Sequence, residues 1–491
     1  MRRPQFFALS LSLFLSAICL TSMQAPPPAL AMDPVEAQLK DKAMRQFALG
    51  LQAEKVDLNQ AMEYFRKSLG IYKKIKEVHY KAGLTAAKLG MNEEAMNEFR
   101  TAMNIDNNYI QCRNDYALFL QHNKNDTEGA MDQWKQIVRM EPKYPFPYYF
   151  MGLVLHKKGD LDGAIDMFES FVRLKPDSPD GQLELGLCIF ERAQTDDIMT
   201  AEKALIAAQN LAPQNPMIHF HLGTIEATKG NLDDAETQWR TALQCDNRLA
   251  AAHWELARLR YLRGDMNFCM AELAAAQKIN PTYTAEKKYP QLRVIDLKTY
   301  YAKCLEHKGK LAEAIDAYLE LAQARGSDAL YAAHIEELKK KIKLIQKERK
   351  KKPLTYDPEE IDALVAKGQD SMEDGRLEEA KASFERALEL HPMSLEATMA
   401  LCNVQEAQGD LNAAAASNQK AITIDPTFGG AFYNYGFLLE KMNLPTDAGM
   451  MYKRFQEVEG KYPYDPAHVI KLQQDLIRQQ KIEENRRTRG Y

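Results

Sequence analysis

One helical pattern recurs along this chain at a period of 34 residues, and that period limits what the chain can fold into. EEAKASFERALELHP at 378–392 has counterparts in EEAMNEFRTAMNID at 93–106 and DDAETQWRTALQCD at 233–246. With the alanine as marker, the series runs Ala61, Ala95, Ala130, Ala164, Ala201, Ala235, Cys269, Ala314, Ala380, Ala414 and Ala448. Most steps are 34 residues, with 35, 37, 45 and 66 as the exceptions. A copy this short cannot cover both of its faces, so copies must bury one another in a row.

Four residues after the marker come Phe65, Phe99, Trp134, Phe168, Leu205, Trp239, Leu273, Tyr318, Phe384, Asn418 and Tyr452. Twelve after it, Pro142, Pro176, Pro213, Pro281, Pro392 and Pro426 stop the helix. Twelve before it, Gly83, Gly152, Gly223, Gly368 and Gly436 lie inside another helix, as does Gly186, fifteen before Ala201. Gly90, Gly159, Gly230, Gly264, Gly309, Gly375 and Gly409 mark the turn between the two. Each unit is therefore helix, tight turn, helix, stop. Small residues at the two facing positions let the backbones approach, and the aromatic fills the space toward the next unit. The first unit lacks a clean glycine position, and the tenth carries Asn418 where the others carry a bulky apolar residue.

Composition agrees. Gly and Pro are sparse at 24 and 21 in 491 residues, and helix formers dominate. An all-α fold is expected. Charged residues make up 27% and balance to −4, which offers no global attraction to nucleic acid. FHLGTIEATKGNLDDAETQWRTALQCDN and YYFMGLVLHKKGDLDGAIDMFESFVRLKP resemble the tetratricopeptide repeat (TPR), with its W-x-x-L-G-x-x-Y, Ala, Phe and Pro pattern. The resemblance covers about residues 42–462 in about eleven units. It implies an α-solenoid, a superhelical array of antiparallel helix pairs.

The exceptional steps predict the organisation. Extra residues at 123–127 and 194–199 lengthen inter-helix turns, and TYTAEKKYPQLR at 282–293 is inserted between the seventh and eighth units. About eight repeats are expected at 42–328, then a charged helix and linker at 329–358. Ile335, Leu338, Ile342 and Ile345 give that helix one apolar stripe, fit to cap the first array. Three repeats follow at 361–462, and 463–491 holds a capping helix, from Pro466 to about Asn485, and a tail. Val469, Leu472 and Leu476 would seal the second array.

Residues 1–31 read as a signal peptide. Arg2 and Arg3 precede an apolar run from Phe6 to Leu20, interrupted by Ser10, Ser12 and Ser16, and Ala29-Leu30-Ala31 ends it. The expectation is cleavage before Met32 and export to a periplasm, a cell envelope or the outside, with no membrane span in the mature chain. Cys112, Cys188, Cys245, Cys269, Cys304 and Cys402 remain, scattered and without a C-x-x-C. Half of them, Cys112, Cys269 and Cys402, stand where other units place Ala or Gly, and the cysteines read as free, buried packing residues.

No catalytic, metal or cofactor constellation is legible. His219 and His221 are two apart on a helix and face different ways, and His253 repeats the His219 position. Acidic pairs such as Asp233-Asp234 and Glu378-Glu379 open second helices, where carboxylates suit the helix dipole. The repeats use nearly all of the chain, which leaves no stretch for a catalytic domain. The basic run Lys339–Lys352 reads as a solvated face, with peripheral membrane or acidic-partner contact as its functional alternative.

In the family this chain resembles, the first helices line a groove that holds a protein or peptide segment. The inward positions of such a groove carry Tyr80, Phe146, Tyr149, His156, Phe220, Trp254, Arg258, Tyr261, Tyr433 and Phe437, the residue types that anchor interfaces. The family's carboxylate clamp is absent: the comparable positions hold Val365, Gln369, Ala400, Gly430 and Asn434. The expected function is an exported, non-enzymatic scaffold for protein partners. The alternative is an accessory subunit of an envelope assembly system for glycan, lipopolysaccharide or pilus. A glycosyltransferase-type enzyme would need a large α/β domain that the sequence lacks.

Overall fold

The computed structural model describes residues 33–194, 197–280, 294–324, 329–351 and 356–459. The signal segment, the 282–293 insertion and the helix expected at 466–485 lie outside the described residues. Every regular element among them is a helix, and the chain divides into two compact units, 1–147 and 148–491.

In the first unit the pairs are α1 (Pro34–Ala53) with α2 (Leu58–Ile71), α3 (Lys76–Lys88) with α4 (Asn92–Ile105), and α5 (Ile110–Asn123) with α6 (Thr127–Met140). The second unit opens with α7 (Phe146–Lys158) and α8 (Leu161–Leu174), then α9 (Pro179–Arg192) and α10 (Asp197–Leu211). Next come α11 (Pro216–Lys229) and α12 (Leu232–Cys245), α13 (Ala250–Leu262) and α14 (Met266–Ile279), and α15 (Val294–His307) and α16 (Leu311–Ala324). After α17 (Ala329–Lys351) the last pairs are α18 (Pro358–Glu373) with α19 (Leu377–Leu390), α20 (Leu395–Ala407) with α21 (Leu411–Ile424), and α22 (Gly429–Lys441) with α23 (Pro445–Glu459).

The packing rule read from the repeats is realised atom by atom. Every marker alanine is fully buried, and the aromatic four residues on lies over the glycine of its own pair. A Cβ at Gly223 would stand 2.6 Å from the Trp239 ring, and one at Gly83 would stand 3.0 Å from Phe99. Any side chain there would therefore push the helices apart. The first unit also has its glycine: Gly50 meets Phe65, one residue out of phase with the others. In the tenth unit both partners change together. Cys402 takes the glycine position, and the fully buried Asn418 donates to its sulfur at 2.7 Å.

The seven expected turn glycines all have positive φ, which an L side chain adopts only at a cost. The lengthened turns close instead through Asn125 and Ala193, at φ 54 and 56. Helix α17 lays Tyr331, Ile335 and Leu338 on α16, with Ile342 and Ile345 partly buried beside them, while Lys339, Lys340, Lys341 and Lys343 stay exposed. That stripe covers the apolar side of α16, as a terminal helix must.

Within the second unit, the last three repeats pack back onto α13 and α15. The compact units do not divide at the 329–358 linker, and 361–459 belongs to the same unit as α8 to α16.

Candidate protein-binding faces

First helices carry the side chains that could meet a partner, because their second helices are committed to pairing. In the second unit much of that surface is already covered. The turn from α13 to α14, Arg263-Gly264-Asp265, sits against the first helices of the last three repeats. Gln369 of α18 donates to Asp265 Oδ1 at 2.6 Å, and Asn403 of α20 donates to the Arg263 carbonyl at 2.9 Å. Met399 lies against Gly264, and a Cβ on Gly430 of α22 would stand 2.5 Å from the Leu262 carbonyl.

Charge pairs surround this seat. Glu373 reaches Arg240 at 2.9 Å and Arg260 at 3.2 Å, and Lys308 reaches the buried Glu396 at 3.0 Å. His307 Nδ1 lies 2.8 Å from Asp425, and Glu459 pairs with Lys303 and accepts from the Tyr261 hydroxyl at 3.0 Å. A cavity of about 140 Å³ beside the seat is lined by Arg260, Arg263, Asp265, Gln369, Asn403 and Lys441 among others. Burial pushes the Asp265 carboxyl up to about 7, against the pull of Arg260. Burial would also raise Asp425, but the hydrogen bond and charge of His307, with Thr427, hold it well below the carboxylate range.

The first unit presents a different face. Tyr80 of α3 and Asn114 of α5 occupy the same repeat position. The Tyr80 hydroxyl donates to Asp115 Oδ2 at 2.5 Å, and Tyr109 packs edge-on to Tyr80 at 5.2 Å. Asn114 is 6% exposed, and its Oδ1 has no hydrogen-bond partner in the protein. Gln121 Oε1, two turns further along α5, is likewise buried and unpaired. Burial raises the Asp115 carboxyl, and the hydrogen bonds from Tyr80 and Asn114 only partly offset it.

Comparison with known families decides what these pairs are. Two tetratricopeptide repeat models match, one over residues 191–250 and 365–427, the other over 76–109 and 147–178. The repeats are tetratricopeptide repeats. An array of TPRs is a protein-interaction scaffold, and this chain is built as one. Among solved structures, the C-terminal part of a TPR protein from Cytophaga hutchinsonii is 17% identical, with TM-score 0.40 over 52% of this chain and 99% of that one. PilF of Pseudomonas aeruginosa is 14% identical, with TM-score 0.37 over 44% of this chain and 94% of that one. YrrB, described as a TPR protein with an unusual peptide-binding site, is 22% identical, with TM-score 0.33 over 38% and 93%. No curated protein matches by sequence.

The ten residues expected to line a TPR groove do not form one open surface. Phe220, Trp254, Arg258, Tyr261 and Tyr433 are interior, each 3% exposed or less, which corrects their reading as free anchors. The cause is tertiary. Tyr261 is enclosed edge-on by Tyr300 at 5.0 Å and Phe428 at 5.5 Å, and Tyr433 packs on Tyr452 and Phe455. Arg258 pairs with the equally buried Glu255 at 2.9 Å, one turn earlier on α13. Tyr80 is also buried and acts through its hydroxyl.

Tyr149 is half-buried on Phe168 and Phe171, and Phe437 lies half-buried under the Lys441 ammonium. His156 is held by Glu191 at 2.8 Å and Glu184 at 3.7 Å; a hydrogen bond with Cys188 and these two carboxylates raise its imidazole well above the usual range. Phe146 alone is openly exposed, edge-on to Tyr144. Asn114, Asp115 and Gln121 were missed, although the period pointed to them: Asn114 stands 34 residues after Tyr80. Among the described residues, no helix is long and apolar enough to cross a membrane, and no group of three metal-ligating side chains occurs.

Proposed function

We propose that this chain is an exported, non-enzymatic TPR scaffold that holds an extended protein segment along the first-helix face of α3 and α5. The supporting observation is the pair of unpaired buried acceptors, Asn114 Oδ1 and Gln121 Oε1. Each costs about 1–3 kcal/mol while it lacks a donor. Seven residues of helix separate them by about 10 Å, the rise of about three residues of an extended chain. Both acceptors are enclosed in the free chain, so the two side-chain amides turn outward as backbone N–H groups of such a segment supply the missing donors. Beside them, a partner lysine or arginine would relieve the buried Asp115 carboxyl, so the partner is extended and basic at this point. Export follows from the basic, apolar and small-residue order of residues 1–31.

The test uses arrays of extended peptides that are basic, neutral or acidic, with the full chain and an Asn114→Ala variant. Basic peptides should bind best, and the variant should lose about tenfold in affinity, one hydrogen bond's worth, while melting no lower than the parent, since an unpaired buried acceptor is removed. Equal binding of acidic peptides, or an unaffected variant, rules out this face. Export is read separately, as a mature N-terminus at Met32.

A further inference from the structure

We propose that Cys269 and Cys304 form a disulfide in the exported protein, joining the seventh repeat to the eighth. The two sulfurs lie 3.3 Å apart, in contact, on chain positions 35 residues apart. Both side chains are fully buried between α14 and α15, and both are free thiols in this structure. Closing to the bonded distance of about 2.05 Å needs a movement of roughly 0.6 Å from each sulfur.

The pair departs from the repeat's own rule at one of its two positions. Cys269 stands at the marker position, where every other unit has alanine, and Cys304 follows the buried Ala302 by two residues. Cys188 occupies the same position as Cys304 in an earlier unit. The marker before it is Ala164, and the Cys188 thiol turns to His156 instead.

The place of the pair also matters. The connection from Ile279 to Val294 is the longest in sequence between successive repeats of the first array. A covalent bond across that connection would pin α15 to α14. Lys303 and His307 on α15 and Lys308 directly after it, which receive Glu459, Asp425 and Glu396 of the last array, flank Cys304.

The chemistry balances by thiol–disulfide exchange. An oxidant carrying a disulfide, either an oxidised dithiol protein or oxidised glutathione, is attacked by one thiolate to give a mixed disulfide. The second cysteine then displaces it. Two S–H bonds are lost and one S–S bond forms; two protons leave, and two electrons reduce the oxidant to two thiols. Because both sulfurs are enclosed in the folded chain, the exchange belongs to folding, before α15 seats.

The pairing rests on the export reading only for its oxidant, and the test separates the two. The full chain is refolded from denaturant in glutathione buffers from fully reduced to fully oxidised, quenched with N-ethylmaleimide and digested with trypsin. The oxidised end should yield GDMNFCMAELAAAQK (264–278) linked to CLEHK (304–308), with an unfolding midpoint a few degrees above that of the reduced chain. Cys304→Ala should lose both the linked peptide and the midpoint rise, and Cys402→Ala, another buried thiol, should keep both. Recovery of both peptides carrying maleimide at the oxidised end overturns the pairing, as does a midpoint rise that survives in Cys304→Ala. Export itself is read from the N-terminal mass of the protein made in cells, whatever the state of the thiols.

Discussion

Trp239 and Trp254 are each 3% exposed, yet they reach the interior by different routes. Trp239 lies on the glycine of its own pair and donates from Nε1 to the Phe220 carbonyl at 3.2 Å. Trp254 stands on a first helix, edge-on to Tyr300 at 5.3 Å, with the Arg258 guanidinium 5.9 Å from its ring. Truncating a buried tryptophan leaves a cavity that the surroundings only partly fill, at about 3–5 kcal/mol. Trp239→Ala and Trp254→Ala should therefore both lower the unfolding midpoint by similar amounts in thermal melts. A Trp254→Ala protein that melts with the parent would mean that this ring faces solvent and is free to meet a partner.

At the scale of elements, the α13–α14 turn is the contact through which the last array is seated, and it carries a titrating group. Asp265 caps α14 through Phe268 N and accepts from Gln369. Its carboxyl titrates near 7 in the folded chain and near 3.8 when free. Below about 4 both states hold the proton. Between that pH and about 7 the unfolded chain binds fewer protons than the folded one, so stability falls as pH rises. The total loss is of the order of 4 kcal/mol. Asp265→Asn keeps the cap and the acceptor but removes the proton. Denaturant unfolding at pH 5 and pH 8 should show a decline in the parent that is much smaller in the variant, and equal declines would exclude Asp265 as the source. The His307–Asp425 pair works with the opposite sign: its depressed carboxyl stabilises above the ordinary carboxylate range, and that contribution is lost in acid.

For the whole molecule, the seat of the last array changes what the linker can do. Residues 346–358 still offer trypsin Lys347, Arg349, Lys350 and Lys351 in the last turns of α17, and Lys352 next in the chain. Cleavage there removes the covalent link but leaves Gln369–Asp265, Lys308–Glu396, Tyr261–Glu459 and the shared apolar cluster in place. The nicked protein should therefore elute as one species on size exclusion at physiological salt, with both fragments in the same peak on a denaturing gel. Two separate peaks would mean that the arrays are held together only by the chain.

The repeat and its phase were legible without a structure because they rest on local contacts. Gly223 and Trp239, or Gly368 and Phe384, meet within one helix pair, so their spacing records their contact. Even the departures obey this logic, as Cys402 with Asn418 does. The candidate site was legible only in part. The inward face of each first helix follows from the same period, and Asn114 could have been read from it. Whether that face is open depends on segments far away in the chain. Tyr261 meets Glu459, 198 residues on, and Gln369 meets Asp265 across 104 residues. Such contacts have no periodicity to mark them, since they join surfaces that each satisfy the repeat rule alone. Local packing thus determined the elements, and only the tertiary fold decided which first-helix faces remain free for a partner.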